Sequence, residues 1–316
     1  MTKIIMLLNF LSLFPLAHIQ AEEKQDYQYY HEQVIEAETL VVKEHYADAL
    51  LVYEHLFDNY SFMFLREYQM AAQLALIENE NEKAIRYLRR GILSGWDIRS
   101  IKKNKFLTAL QSGKAWDLIE KDYPYLRKQY ESNLNQDILK QVKTMYSKDQ
   151  KKAFKALFRI GSKAKNTYAE KKFAPHSEKQ MAEFSQILQS YGYPGEKLIG
   201  NDYWMSTILS HHNSISTTYN KKDSIYPALL PKFKKALNKG QMSPYEFAMI
   251  DDWYRASRYQ RKEPGYGILN RPSTSSMSKT NELRKKIYAR PFELRDGLEA
   301  IEIKTGMNFY LLDRWY

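Results

Sequence analysis

Apolar residues recur at helical spacing from about Tyr27 to Tyr130 and predict paired helices. In Ala47–Phe57 the apolar set is Leu50, Tyr53, Leu56 and Phe57, and in Glu82–Ile92 it is Ile85, Leu88 and Ile92. Ala49 and Ala84 hold equivalent places in these two segments, 35 residues apart. Between them, Phe64 to Ile77 is another periodic stretch, with Tyr68, Ala71, Ala72 and Ala75 as close-packing positions.

This alternation of helix, turn and helix, with small residues at the crossings, resembles tetratricopeptide repeats, whose period is about 34 residues. One to two units are recognisable, without the full Trp/Leu/Gly/Tyr signature. The adjoining stretch, with Trp96, Phe106, Leu107, Leu110 and Trp116, is similar to the closing segment of such arrays, where a cap covers the last apolar face. These five residues are therefore expected in the core. Two units alone bury little, so the region is expected to pack on the C-terminal helices. Pro124 in Asp122-Tyr-Pro-Tyr125 interrupts the pattern. The chain is expected to divide between Tyr123 and Gln136, into a repeat-like part (22–130) and a second helical part (131–316).

Helical patterning continues in the second part. Ile138, Val142, Met145 and Tyr146 form one stripe, which Phe154, Leu157 and Phe158 extend. Ser177-Glu-Lys-Gln180 and Ser243-Pro-Tyr-Glu246 read as capping boxes that open helices. Ser147-Lys-Asp-Gln150 has the same form, and Asp149-Gln150 reads equally as a polar pair aimed at a pocket. Trp204, Ile208, His212 and Ile215 share a face. Residues 262–279, rich in Pro, Gly, Ser and Thr, read as a long loop before a final helical stretch from Glu282.

With only 12 Gly and 10 Pro in 316 residues, an all-β architecture of many tight turns is disfavoured. The expected fold is all-α: a short tetratricopeptide-like hairpin region followed by an irregular helical domain. Cysteine is absent, which removes disulfides, thiolate metal sites, Cys nucleophiles and a lipid-modified N-terminal Cys. At the N-terminus, Lys3 precedes the apolar run Ile4–Ala17, and Ala21 precedes Glu22-Glu23-Lys24. That run is shorter than the ~20 residues of a membrane span and reads as a signal peptide (1–21), implying a periplasmic or secreted protein. The net charge is +11. Its excess lies mostly in Lys140–Lys172, where ten Lys and Arg159 face only Asp149 and Glu170. Such a stripe is a solvated face or a contact for an anionic glycan, polymer or membrane surface. Export disfavours nucleic acid.

No phosphate-cradling Gly loop, H-E-x-x-H or G-x-S-x-G motif is present, and no metal or cofactor is expected. His211 and His212 are adjacent, and neighbours on a helix point about 100° apart, so the pair does not present both rings to one ion. His212 reads as a buried, hydrogen-bonded histidine or as a general acid/base. Asp251-Asp252, beside Trp253 and Tyr254, reads as a partly buried pair of carboxylates.

Over residues 136–300 an ordered set of landmarks resembles an uncharacterised bacterial helical domain family found in exported or repeat-containing proteins. The landmarks are Asp149-Gln150, Tyr191-Gly192-Tyr193-Pro194, Gly200, His212, Pro227, Leu229-Leu230, Gly240 with Pro244, Ala248, Asp252, Gln260, Tyr266-Gly267, Asn281–Arg284 and Pro291. Trp253, Ile268 and Ser214 depart from the family's Arg, Thr and acidic residue, which implies a lost or remodelled active site if the family has one.

The resemblance and the chemistry together define a candidate polar pocket of Asp149, Gln150, His212, Asp252, Gln260 and Tyr266. The favoured function is an exported binding or interaction protein whose stacked helix pairs dock a protein or peptide. The alternatives are a hydrolase using His212 with Asp149 or Asp252, and anionic glycan or lipid binding through residues 140–172.

Overall fold

Asp26 opens the first helix by accepting hydrogen bonds from the backbone N–H of Gln28 and Tyr29 at 2.9 and 3.3 Å. The computed structural model describes residues 25–312. The expected signal peptide (1–21) lies outside the described residues. The helices are α1 (Tyr27–Val42), α2 (Tyr46–Asn59), α3 (Leu65–Ile77), α4 (Asn81–Leu93), α5 (Ile98–Lys103), α6 (Lys114–Asn133), α7 (Gln136–Leu157) and α8 (Ser162–Tyr168). After them come α9 (Ala174–Ser190), α10 (Glu196–Ile199), α11 (Trp204–Asn213), α12 (Thr217–Lys222), α13 (Ile225–Leu237), α14 (Pro244–Arg258), α15 (Met277–Lys285) and α16 (Phe292–Thr305). No strand occurs among the described residues, and the fold is all-α.

The first layer stacks α1 on α2, α2 on α3, α3 on α4 and α4 on α6. Short connections at 43–45 and 78–80 make α1–α2 and α3–α4 helical hairpins. Ala49 and Ala84 are fully buried, as are Ala71, Ala72 and Ala75. Small residues at these points let backbones approach closely. Trp96, Leu107, Leu110 and Trp116 are buried in the same core and Phe106 packs against it, as the sequence predicts.

A second core forms around Phe184, Tyr193, Ile208, Tyr226, Phe233 and Phe247 from α9, the turn after it, α11, α13 and α14. The cores do not follow chain order, because Leu298, Ile301, Met307, Phe309 and Leu311 belong to the first. Helix α16 lies on α1. Beyond it, Gln73 exchanges two hydrogen bonds with Asn308, at 2.8 and 2.7 Å. The residues between Tyr123 and Gln136, where a division is expected, are mostly helix: α6 continues through Pro124 to Asn133. Leu126 and Tyr130, both buried, anchor the helix beyond the proline.

Two of the three capping readings are corrected. Ser147 lies inside α7 and bonds back to the carbonyl of Lys143 at 2.9 Å. The helix starts three turns earlier, where Asn135 caps Ile138 N–H at 3.0 Å. Ser177 lies inside α9, which opens at Ala174-Pro175 after a π-helical turn (Ala169–Phe173). The third holds in its first half: Ser243 accepts from Glu246 N–H at 3.1 Å, with Pro244 first in α14, while the Glu246 carboxyl accepts from Tyr193. Among the described residues no helix is long and apolar enough to cross a membrane.

Candidate functional site

Asp149 extends the buried stripe of Val142 and Met145 by one turn of α7, and its carboxylate is fully buried. It accepts from the neighbouring His211, not from His212: His211 Nδ1 stands 2.5 Å from Asp149 Oδ2, and Gln150 Nε2 donates to the same oxygen at 3.4 Å. A neutral imidazole with its proton on Nδ1 would leave the Nε2 lone pair facing away from the carboxylate. The imidazole is about a third exposed. It borders a shallow pocket of about 260 Å³ walled by Ala153, Ala156, Leu157, Tyr168, Phe173 and Ile215.

His212 points the other way, as adjacent helical residues must. Its Nδ1 lies 2.9 Å from Ser177 Oγ and its Nε2 3.6 Å from Asp223 Oδ2. The three have the composition of a nucleophilic triad, yet Ser177 and His212 are 0% exposed and the Asp223 side chain 1%, so no substrate reaches them. They tie α9, α11 and the α12–α13 turn together. Burial pushes the Asp223 carboxyl up, but the nearby His212 ring and hydrogen bonds from the Ile225 and Tyr226 N–H groups outweigh it and hold it below its ordinary value.

The remaining candidates lie elsewhere. Asp252 accepts from the backbone N–H of Tyr266 at 2.5 Å and of Ile268 at 2.7 Å, and so staples the long loop. A Cβ on Gly265 would sit 2.1 Å from Asp252 Oδ1, which explains that glycine. Tyr266 is buried edge-on against Phe247, and its carbonyl accepts from Arg284 Nε at 2.8 Å. Gln260 is exposed, in a left-handed conformation at φ 53° after α14. Of the six predicted residues, the structure joins Asp149 with Gln150, and Asp252 with the backbone of Tyr266. It leaves His212 and Gln260 in other surroundings.

A larger concavity, which local sequence patterns do not reveal, lies at the seam between the two cores. Its volume is about 320 Å³. Helix α1 contributes His31, Ile35 and Glu38, and the start of α3 contributes Phe64, Arg66 and Glu67. The other side carries Glu196, Asn201, Tyr203, Tyr245, Tyr288 and Tyr310. Tyr203, Tyr288 and Tyr310 all have left-handed backbones, φ 53°, 60° and 52°. Such conformations cost about 1–3 kcal/mol each for a bulky residue and concentrate where a site is built.

The electrostatics of this seam are unusual. Glu38 is fully buried between Arg66 (2.6 Å) and Arg290, which grips both its oxygens at 2.6 Å. Burial raises the Glu38 carboxyl, but the two guanidiniums outweigh it and hold it low. Glu67 has one oxygen, Oε2, without a partner in the chain, and burial pushes its carboxyl up to about 7. Glu196 accepts from Leu65 N–H at 2.5 Å, and burial raises it well above the carboxylate range. Just behind, Glu246 accepts from Tyr193 Oη at 2.7 Å and is pushed by burial to about 7. His31 is forced the opposite way, to about 3, because burial disfavours its cation. His31 Nε2, Arg66 Nη2 and Asn201 Oδ1 also have no partner in the chain. The sequence signal for Glu38 is its place on the buried face of α1 with Val34, Ala37 and Val41. Glu196 gives no such signal, because its surroundings depend on a contact 131 residues away.

No family model, curated protein or solved structure matches the chain. Among the described residues no group of three or more His, Asp or Glu is placed to hold a metal ion.

Proposed function

We propose that the chain is an exported binding protein whose ligand sits in the seam cavity. One observation carries this reading: an aromatic-walled cavity whose wall includes polar atoms with hydrogen-bonding capacity unused within the chain. Tyrosine faces suit the flat apolar side of a sugar ring, and carboxyl, guanidinium and amide groups suit its hydroxyls. The ligand class is therefore a small polyhydroxylated molecule. Residues 298–311 of the chain itself already cover part of the stacked helix pairs, which favours a small ligand over a docked peptide.

The test uses the purified protein and a panel of mono- and disaccharides, followed by thermal unfolding and calorimetry. A true ligand at a hundredfold excess over its Kd stabilises by about 2.7 kcal/mol, a rise of several degrees. Ile35→Trp, which fills the half-buried wall of α1, should abolish that rise. If every sugar leaves the Tm unmoved, or if Ile35→Trp binds as tightly as the parent, the reading fails.

A second reading rests on the 2.5 Å Asp149–His211 bond beside an apolar pocket. That pair has the arrangement of a general base that would take a proton from water attacking an ester. Turnover of a short-chain p-nitrophenyl ester that disappears in His211→Gln supports it. Turnover unchanged in that variant refutes it.

A further inference from the structure

Among the described residues, the extension of α7 and the turn after it gather several large apolar side chains in water. Phe154, Leu157, Phe158 and Ile160 are 58%, 73%, 68% and 95% exposed. Phe154 and Phe158 pack edge to face on each other, ring centres 4.9 Å apart. Lys151, Lys155, Arg159, Lys163 and Lys165 are exposed around them. Four large apolar side chains in seven residues, standing in water, are far from the scattered single exposures that need no explanation. The sequence pattern assigns Phe154, Leu157 and Phe158 to a core stripe, and the structure instead leaves that stripe facing solvent.

We propose that this spur, Lys151–Lys165, docks the protein on an anionic lipid surface. The apolar quartet would enter the boundary between headgroups and acyl chains, while the ring of cations meets lipid phosphates. Charge decides between occupants. A second copy of the chain would bring an identical cationic ring against this one, and like charges would oppose closure. An acidic glycan or other polyanion would satisfy the lysines and leave the apolar quartet in water. Only an anionic membrane offers both partners together. The inference is independent of the ligand in the seam cavity, whose lining shares no residue with the spur.

The experiment is co-sedimentation of the purified protein with vesicles of phosphatidylglycerol and phosphatidylethanolamine, against vesicles of phosphatidylcholine alone. Binding is expected to the anionic vesicles only, and to fall about tenfold or more when salt is raised to a level where the screening length is a few ångströms. Phe158→Ser with Ile160→Ser should lower vesicle affinity about tenfold or more while leaving the melting temperature in place, since both side chains already stand in water. Absence of binding to anionic vesicles overturns the proposal. So does binding that ignores the double substitution, which would mean a polyanion contact by lysines alone. A concentration-dependent dimer in light scattering that the double substitution disperses would assign the surface to a second copy and equally overturn it.

Discussion

The seam cavity and the spur both set charges beside aromatic rings, in opposite settings. At the seam, Glu38 and Arg290 are shut away from water and, with the half-buried Arg66, must neutralise one another, and Glu67, Glu196 and Glu246 are held toward their neutral acids by burial. On the spur, Lys151, Lys155 and Arg159 are solvated, and the rings of Phe154 and Phe158 are the groups out of place. A buried charge makes the fold depend on its partner, whereas an exposed one costs the fold nothing and is free to meet something else. The seam is thus where substitution should damage stability, and the spur is where it should damage only association.

The largest effect is expected at Glu38. Glu38→Gln leaves two guanidiniums facing a neutral amide, one of them buried. It should destabilise by about 3–5 kcal/mol in urea unfolding. A loss below about 1 kcal/mol would mean that the cluster is solvated and that the contrast with the spur is false.

Glu246 gives a pH test with a definite sign. Its folded value, about 7, lies above its ordinary 4.5. Its contribution is therefore fully present below pH 4.5 and lost as pH rises through 7, a decline of roughly 3 kcal/mol. His31, lowered from 6.5 to about 3, works the other way: its contribution is present above pH 6.5 and is lost as pH falls toward 3. The two windows overlap, so the informative quantity is the difference between the parent and Glu246→Gln. The variant should gain stability on the parent between about pH 5 and pH 8. A difference that stays flat across that range would show that Glu246 is not held neutral.

His212 and His211 sharpen the comparison within one helix. His212→Ala leaves the buried Ser177 hydroxyl without its partner and a cavity where the ring stood, while Asp223 keeps the N–H groups of Ile225 and Tyr226, and should cost about 2–4 kcal/mol. His211→Ala removes a partly exposed ring and leaves only Asp149 short of a partner, about 1–3 kcal/mol. Chemical denaturation of the two variants side by side checks the order, and a reversed order would contradict the burial that separates them. The smallest change is expected for Phe158→Ser with Ile160→Ser, within about 0.5 kcal/mol per site. A larger loss would place those side chains in a core.

The helices are legible because apolar periodicity and caps are local. Ala49 and Ala84 can be assigned to the core from spacing, Trp96 and Trp116 from the likeness to a repeat cap, and Ser243 declares its helix within four residues. Asp149, read from the sequence as a capping or pocket residue, is instead buried one turn beyond Met145. Which histidine meets it is not legible either, since a rotation of about 100° between His211 and His212 is settled by how α7 and α11 pack. The same limit hides the seam. Glu38 and Arg290 meet across 252 residues, and no window of sequence contains both. Ser177 satisfies a capping pattern, but the competing π-turn and Pro175 start the helix sooner.

The use of residues 298–311 to finish the first core sets the order in which the chain can become itself. Helices α1 to α4 leave the ribosome about 200 residues before Leu298, Phe309 and Leu311, so at ordinary synthesis rates they wait about 10–40 s with an apolar side uncovered. Through that interval the uncovered apolar side is open to a chaperone or a protease. A premature stop near Pro291 would therefore harm the part of the protein made first.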